Sequence, residues 1–180
     1  LVSQIERCSE ILKKLTLNPT IEDDFIDRDL TIVDHVTEII KSFRETSKKE
    51  FIINFDQFSN SLKITKSIEI VYGLRNFIGN ANKFSKSKVF INIKSNNVTT
   101  EITIEDDGEG YPNDVLRKIG EPYIKSYKSS MRSKSGLGLG IFIGKTLLEK
   151  NYANILIRNS QTRKGAEVNI KWKNNDLLNL

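Results

Sequence analysis

The sequence has very little of the chemistry that builds metal centres and disulfide scaffolds. Its 180 residues contain one cysteine, Cys8, and one histidine, His35. A single cysteine cannot form an internal disulfide, and the two residues together cannot supply a zinc site of the usual Cys/His kind. No apolar run approaches the roughly 18 residues that span a bilayer, and the first residues do not resemble a signal peptide. These absences favour a protein of a reducing cytoplasm.

Charge of one sign is not concentrated anywhere in the chain. There are 28 lysine and arginine residues against 23 aspartate and glutamate residues, which leaves a formal net charge of +5. The basic residues are spread through the sequence without a stripe of interleaved aromatics, so the composition does not indicate a nucleic-acid-binding protein. Because the chain opens on Leu1, we expect it to be part of a longer protein.

The order of the predicted elements divides the chain into three parts. Apolar residues at heptad-like spacing predict a helix over residues 1–16, for which an amphipathic surface helix and a coiled-coil seam are alternatives. The acidic stretch over residues 17–30 is predicted to be a linker. Over residues 31–180, helices are interspersed with hairpins, such as the one predicted across Asn96 and Asn97. This order favours a two-layer α/β sandwich over a doubly wound parallel sheet.

The second strand of that hairpin ends in the stretch IEDDGEGYP, residues 104–112. One interpretation is a plain turn, because Asp-Gly is a strong turn signal and glycine tolerates a positive φ. The other is a ligand site, in which Asp106 is a hydrogen-bond acceptor at a strand end while Gly108 and Gly110 let a ligand approach bare backbone. The stretch alone leaves both interpretations open.

The helix predicted through YGLRNFIGNANKFS has two distinct faces. One face is apolar, and the other carries Asn76, Asn80 and Lys83 at positions i, i+4 and i+7. Carboxamide oxygens are hard ligands that suit magnesium, and a lysine one turn further along is placed to meet phosphate oxygens. An ordinary solvated polar face is the alternative.

The stretch GLGLG, residues 136–140, precedes another predicted helix. Unpaired N–H groups and the dipole at a helix start attract phosphate, so a phosphate site and a flexible connector are the two interpretations. Residues 140–146 look like a Walker A loop but are one residue too short, and a loop there would contain three apolar residues typical of a helix core. No stretch fits the pattern G-x-G-x-x-G. We therefore reject a P-loop and a dinucleotide-binding fold.

In order and spacing, these three motifs resemble the N, G1 and G2 boxes of bacterial sensor histidine kinases. The resemblance covers residues 72–149 and implies the Bergerat (GHKL) ATP-binding fold. It implies that Asp106 accepts the adenine amino group and that Lys83 contacts phosphate. It further implies that Asn80 holds the magnesium ion that bridges the phosphates, with Asn76 beside it. The other nucleotide-binding positions that it implies are Gly108, Gly110, Tyr123, Gly136, Leu137, Gly138 and Gly140.

The same resemblance makes residues 124–135, which are rich in lysine and serine, the lid over the triphosphate. Type II topoisomerases and MutL-like ATPases share the fold but carry a water-activating glutamate where Asn76 stands. A carboxamide cannot act as a general base, so phosphoryl transfer to a histidine is favoured over hydrolysis. Ala166 departs from the threonine or serine that many sensor kinases carry near adenine.

Four further stretches are similar to those of one type of sensor histidine kinase, the redox-responsive RegB/PrrB type. These stretches are ERCSEILKKL, GEPY, GLGIFIGKTLLE and KGAEVNIKW. This similarity makes residues 1–16 the second helix of the dimerisation and phosphotransfer hairpin. Cys8 then becomes a candidate redox thiol, with a small apolar seam residue as the alternative. The parent protein is expected to be a homodimer anchored in the bacterial inner membrane, with this part in the cytoplasm and without membrane contact of its own.

The phosphoacceptor histidine is not expected in this chain. His35 lacks the proline that follows in the family's acceptor motif, and it is predicted to be an ordinary helix residue. The resemblance therefore implies a catalytic domain that binds ATP and Mg²⁺ and transfers the γ-phosphate to a histidine on an upstream helix. From there the phosphate passes to an aspartate of a response regulator. The alternative function is a non-catalytic module whose nucleotide pocket serves as an interaction surface.

Overall fold

The structure is a computed structural model that describes residues 30–59, 61–64, 67–123 and 139–178. Within these residues, helices accompany one five-stranded sheet. The helices are α1 (Ile32–Arg44), α2 (Ile68–Phe84), α3 (Asn113–Leu116), α4 (Gly140–Lys150) and α5 (Asn174–Leu178). The strands are β1 (Glu50–Phe55), β2 (Lys88–Ser95), β3 (Thr99–Asp106), β4 (Asn154–Asn159) and β5 (Ala166–Lys173). The predicted helix over residues 1–16 and almost all of the predicted linker lie outside the described residues.

The sheet is mixed, with the strand order β1-β2-β3-β5-β4. Strand β1 runs parallel to β2, and the other neighbouring strands are antiparallel. Two of these pairs are hairpins expected from the sequence: β2 and β3 are joined across Asn96 and Asn97, and β4 and β5 are joined by residues 160–165. A mostly antiparallel sheet that buries one face against helices is a two-layer arrangement, so the predicted α/β sandwich is confirmed.

Alternation along the strands directs one face of the sheet into the core. The buried strand residues include Val89, Ile91 and Ile93 of β2, Ile102 and Ile104 of β3, and Val168, Ile170 and Trp172 of β5. They form one cluster with apolar residues of α1 and α2, among them Ile32, Val36, Ile40, Ile70, Leu74 and Phe77. The polar nitrogen of the buried Trp172 ring donates to the Asn151 carbonyl oxygen at 3.1 Å. The opposite face of the sheet carries the intervening, mainly polar side chains.

Helix α1 begins at a complete capping box. Thr31 Oγ1 accepts a hydrogen bond from the Asp34 N–H at 3.1 Å, and Asp34 Oδ2 accepts one from the Thr31 N–H at 2.9 Å. Such reciprocal bonds satisfy N–H groups that the first turn of a helix leaves unpaired. His35 lies inside this helix and is 1% exposed, which agrees with the prediction of an ordinary helix residue.

Helix α5 is an element that sequence periodicity does not predict. It begins where the Asn174 N–H donates to the Val98 carbonyl oxygen at 2.8 Å and Asn174 Nδ2 donates to the Asn96 carbonyl oxygen at 2.6 Å. Leu177 of this helix is fully buried. Contacts with the β2–β3 turn therefore specify this five-residue helix, and these contacts are distant in sequence.

Helices α2 and α4 approach closely because glycines lie at their contact. A Cβ on Gly73 of α2 would lie 2.5 Å from Leu148 of α4, and a Cβ on Gly144 of α4 would lie 3.1 Å from Phe77 Cε2. Leu148 is fully buried, so it has little room to move aside. This close approach brings the start of α4 alongside the polar face of α2.

Candidate nucleotide-binding site

Asp106 is the last residue of β3 and is almost completely buried, with 2% of its surface exposed. Its Oδ1 accepts hydrogen bonds from the Gly108 N–H at 2.8 Å and from the Ala166 N–H at 3.3 Å. Burial raises the pKa of this carboxyl above its ordinary value, and the two N–H donors only partly offset that effect. The carboxylate is therefore a buried, oriented acceptor, which favours the ligand-site interpretation of this stretch over a plain turn.

Two glycines pack directly against Asp106. A Cβ on Gly165 would lie 1.9 Å from the Asp106 carbonyl oxygen and 2.4 Å from Oδ1. A Cβ on Gly108 would lie 2.4 Å from the Phe84 carbonyl oxygen and 2.8 Å from Asp106 Oδ1. No side chain fits at either position unless backbone atoms move. Close packing, rather than a positive φ, therefore requires glycine at both positions.

The loop after β3 is held against β4 by Asn159. Asn159 Oδ1 accepts from the Tyr111 N–H at 2.6 Å, and Asn159 Nδ2 donates to the Tyr111 carbonyl oxygen at 3.0 Å. Gly110 has a φ of +74°, and a Cβ on it would lie 2.7 Å from Asn159 Oδ1, so both its conformation and its space require glycine. Burial, together with the charge of Asp106, raises the pKa of the partly exposed Tyr111 side chain.

Asp107 joins the same loop to the turn before β2. Its carboxylate accepts from the N–H groups of Lys86, Ser87 and Lys88 at 2.8, 3.0 and 3.1 Å, and from the Ser87 hydroxyl at 2.6 Å. Partial burial by itself would raise the pKa of Asp107. The hydrogen bonds outweigh burial and lower the pKa to about 2, from an ordinary value of 3.8.

We expect Asp107→Asn to make the protein less stable at pH 7 and less sensitive to acid. Because the pKa of Asp107 is lower in the folded protein than in the unfolded chain, its contribution to stability is present above about pH 4 and is lost as the pH falls toward 2. The free energy of unfolding, measured by urea denaturation, should be about 1–2 kcal/mol lower in the variant at pH 7. That difference should shrink at pH 3. A difference that does not change with pH would contradict this account.

The predicted asparagines of α2 lie against the first residue of α4, Gly140. A Cβ on Gly140 would lie 3.3 Å from Asn80 Nδ2, 3.4 Å from Asn80 Oδ1 and 3.6 Å from Asn76 Oδ1. Asn76 Nδ2 donates to the Tyr72 carbonyl oxygen at 2.9 Å, which orients its amide. The structure thus brings together the polar face of α2 and the last glycine of GLGLG.

The start of α4 also excludes the Walker A interpretation. The helix begins at Gly140, so Ile141, Phe142 and Ile143 are helical residues. A P-loop would require these residues to wrap around a phosphate as a loop. The rejection of a P-loop is therefore supported by the structure.

Two other predicted site residues, Lys83 and Tyr123, lie in the described part of the chain. Lys83 is exposed near the end of α2, with its Nζ 5.5 Å from the centre of the Phe84 ring. Tyr123 has a φ of 64° and is 52% exposed. Nucleotide contact by these two residues stays a prediction. Some predictions concern residues outside the described part of the chain, namely Cys8, the predicted lid over residues 124–135, Gly136, Leu137 and Gly138.

Sequence reasoning missed three residues that shape this site: Gly165, Asn159 and Tyr111. Gly165 had a weak signal, because a glycine stands directly before a predicted strand. Tyr111 follows the Asp-x-Gly-x-Gly motif, but nothing in that motif indicates the hydrogen bonds of its backbone to Asn159. Asn159 has no local signal, since its hydrogen-bond partner lies 48 residues earlier in the chain.

A sequence profile of the family described as histidine kinase-, DNA gyrase B- and HSP90-like ATPases matches residues 65–176. The match covers more than half of the 180 residues and includes Asp106, Asn80 and Gly140. The chain belongs to this ATPase family. Membership confirms the use of ATP that the motifs imply.

Curated relatives of this ATPase domain include sensor histidine kinases. RegB of Cereibacter sphaeroides is 30% identical over 168 residues, which cover 87% of this chain and 35% of RegB. A putative NtrY-like sensor histidine kinase of Rickettsia bellii is 25% identical over 147 residues, which cover 81% of this chain and 23% of that protein. The ATPase domain therefore matches a sensor histidine kinase catalytic domain close to RegB, as its motifs predict, and spans about a third of RegB.

Solved structures share the fold of this ATPase domain. The catalytic domain of the histidine kinase ThkA has a TM-score of 0.66 at 18% identity and covers 81% of this chain and 95% of its own. The mycobacterial sensor histidine kinase MprB has a TM-score of 0.64 at 18% identity, with 80% and 95% covered. These likenesses confirm the Bergerat-type fold. In the part of the chain that the structure describes, no helix has the length and apolar character needed to cross a membrane.

Proposed function

We propose that this ATPase domain is the catalytic part of a sensor histidine kinase, which binds ATP with Mg²⁺ and transfers the γ-phosphate to a histidine. The observation that supports the proposal most strongly is a buried, oriented carboxylate, Asp106, combined with a pair of asparagines on α2 that lie beside the start of α4. Asp106 offers an acceptor for a base, while Asn76, Asn80 and the start of α4 offer amide oxygens and N–H groups for phosphates and their cation. Similarity to RegB supports the kinase reaction over other reactions of the family.

Asp106 selects the base in this proposal. Its Oδ1 already accepts the N–H groups of Gly108 and Ala166, so we assign Oδ2 to the adenine amino group. Gly108 and Gly110 have no side chains that would cover the backbone beside Asp106. Because an acceptor without a donor is costly in a buried pocket, a base with a carbonyl at this position binds poorly.

The residues present fit a magnesium ion that is bound together with phosphates. Asn80 contributes a neutral amide oxygen, which is a hard ligand, and Gly140 places no side chain over it. Among the described residues, no group of three or more His, Cys, Asp or Glu side chains could hold a metal, so phosphate oxygens and water molecules would complete the ligand set. When bound, the ion neutralises phosphate charge, and Lys83 is assigned to do the same.

Asn76 favours transfer over hydrolysis. Activation of a water molecule requires a group that accepts a proton, and a carboxamide does not do so. Its Nδ2 is held by the Tyr72 carbonyl oxygen, which leaves Oδ1 toward Gly140. The part that this chain plays in the reaction is then to position the nucleotide, neutralise its charge and exclude water.

The accepting histidine belongs to another segment of the parent protein in this proposal, because His35 is buried within α1. We assign the acceptor to the dimerisation and phosphotransfer helices and the next transfer to a response-regulator aspartate. The parent is assigned as a membrane-anchored homodimer. Further assignments from family resemblance are nucleotide contacts by Tyr123, Gly136, Leu137 and Gly138 and a redox role for Cys8.

Calorimetric titration with a non-hydrolysable ATP analogue, with and without Mg²⁺, tests this function. The wild-type protein should bind the ATP analogue with a micromolar Kd and should bind a GTP analogue more weakly. Asn80→Ala should lower the affinity measured with Mg²⁺ about tenfold or more, because it removes the amide ligand, and should change the Mg²⁺-free affinity little. Asn82→Ala is the matched control on the same helix, since the Asn82 amide accepts the Ser47 hydroxyl instead. A folded wild-type protein that binds no nucleotide would overturn the proposal and favour an interaction module.

A further inference from the structure

Two glutamates lie directly opposite each other on the outer face of the sheet. Glu105 of β3 is the register partner of Glu167 of β5, and each residue is 7% exposed. Like charges that are opposed and buried in this way need separate compensation. Arg158 compensates Glu167, since its Nε and Nη2 lie 2.7 and 2.6 Å from Glu167 Oε1. Glu105 is compensated by a different set of groups, which lie in the turn between β4 and β5.

That turn binds Glu105 through three side chains. Ser160 Oγ donates to Oε1 at 2.6 Å, Thr162 Oγ1 donates to the same oxygen at 3.4 Å, and Arg163 Nε lies 3.4 Å from Oε2. The guanidinium of Arg163 also lies 3.6 Å from the centre of the Phe90 ring, and Phe90 is the register partner of Glu105 on β2. The short, buried, charge-assisted bond from Ser160 is the strongest of these contacts, because the Arg163 pair is partly exposed to solvent.

The same turn touches Asp106 on the other face of β3. Successive side chains of a strand point to opposite faces, so Glu105 and Asp106 lie on different sides of the sheet. The Ser160 N–H donates to the Gly165 carbonyl oxygen at 2.8 Å and closes the turn. Gly165 then packs against Asp106, and the Ala166 N–H donates to Asp106 Oδ1 at 3.3 Å. The turn is therefore anchored by Glu105 on the outer face while it orients Asp106 on the inner face.

The geometry points to Glu105 as a positioning residue for base recognition, which acts through the turn over residues 160–165 on the Asp106 carboxylate. This inference rests on the proposed function, in which Asp106 accepts the adenine amino group. Loss of Glu105 leaves Ser160 and Arg163 without their acceptor, so the turn is no longer held against β3. Asp106 then loses a donor that fixes its orientation, and discrimination between bases falls more than affinity for the triphosphate.

The test compares the Kd values of an inosine and an adenosine triphosphate analogue, which present a carbonyl and an amino group, respectively, to Asp106. Glu105→Ala should lower the ratio of the inosine Kd to the adenosine Kd about tenfold. Glu105→Gln should retain most of the ratio, because its amide oxygen still accepts the Ser160 hydroxyl. Glu167→Ala is the matched control: it removes an equally buried glutamate of the same row, but one that pairs with Arg158, and should keep the wild-type ratio.

A wild-type ratio in folded Glu105→Ala, or an equal fall in Glu167→Ala, would overturn the inference. Should Glu105→Ala not fold, Ser160→Ala removes a single hydroxyl from the same contact and should lower the ratio in the same direction. Hydrogen exchange at the Ala166 N–H in nucleotide-free protein is an independent readout. Exchange should be faster in Ser160→Ala than in wild type. Unchanged exchange would contradict the claim that Glu105 positions the turn through Ser160. Wild-type protein that binds neither analogue would instead overturn the proposed function, while the exchange result still decides whether Glu105 and Ser160 hold the turn against Asp106.

Discussion

Asp106→Asn should lower the affinity for an ATP analogue about 100-fold or more and leave the fold intact. The asparagine Oδ1 can still accept the Gly108 and Ala166 N–H groups, because its shape matches the carboxylate. Its NH₂ group, however, replaces Oδ2, so that a donor faces the adenine amino group in a buried pocket. A guanine base presents a carbonyl oxygen there, and the preference for the adenine analogue over the guanine analogue should shrink or reverse.

The stability of this variant should not fall at pH 7. Burial raises the pKa of Asp106 in the folded protein, so the stability linked to its protonated form is present below the ordinary pKa of 3.8 and is lost as the pH rises through the folded pKa. At pH 7 the ionised carboxylate therefore disfavours folding in a way that a neutral amide does not. Urea denaturation should give an equal or higher free energy of unfolding for Asp106→Asn than for wild type.

Asp107→Asn is the matched control for this experiment. It makes the same chemical change one residue along the chain, but the Asp107 carboxylate serves the turn at Lys86, Ser87 and Lys88. Calorimetric titration should give wild-type affinity for the ATP analogue in this variant, despite its lower stability. Equal losses of affinity in the two variants, or wild-type affinity in Asp106→Asn, would refute the role assigned to Asp106.

Gly165→Ala should lower the free energy of unfolding by about 3 kcal/mol and weaken nucleotide binding at the same time. The added Cβ would lie 1.9 Å from the Asp106 carbonyl oxygen and 2.4 Å from its Oδ1. Both atoms belong to the end of β3, which pairs with β2 on one side and β5 on the other. Relief of the clash requires the turn to move away from Asp106, which separates the Ala166 N–H from the carboxylate.

Gly79→Ala separates this effect from a general intolerance of alanine. A Cβ on Gly79 would lie 3.2 Å from the tip of the Phe43 ring, which is a mildly unfavourable contact. Replacing a glycine in the interior of α2 by alanine should stabilise the helix by about 1 kcal/mol. The two effects oppose each other, so urea denaturation should show a change within about 1 kcal/mol. Similar destabilisation of the two variants, or nucleotide binding that survives in Gly165→Ala, would contradict the packing argument.

Sequence reasoning located the elements that support the site because their signals are local. The alternation in KVFINIKS and TTEITIED predicted β2 and β3, and the apolar face through Leu74 and Phe77 predicted α2. The three motifs then indicated a nucleotide pocket, since their order along the chain is itself distinctive. The same reasoning missed α5, which depends on contacts of Asn174 with the β2–β3 turn.

The sequence by itself determined the fold class, the ATPase family and the polar residues that we assign to a nucleotide, because periodicity and motif spacing depend on neighbouring residues. Only the tertiary structure decided which groups surround Asp106. Gly165, Ala166 and the turn that Glu105 anchors reach Asp106 through the pairing of β3 with β5, and Ala166 lies 60 residues further along the chain. Gly140 meets Asn80 because α2 and α4 pack closely at their glycines. Such contacts depend on strand register and helix packing, which no short stretch of sequence specifies.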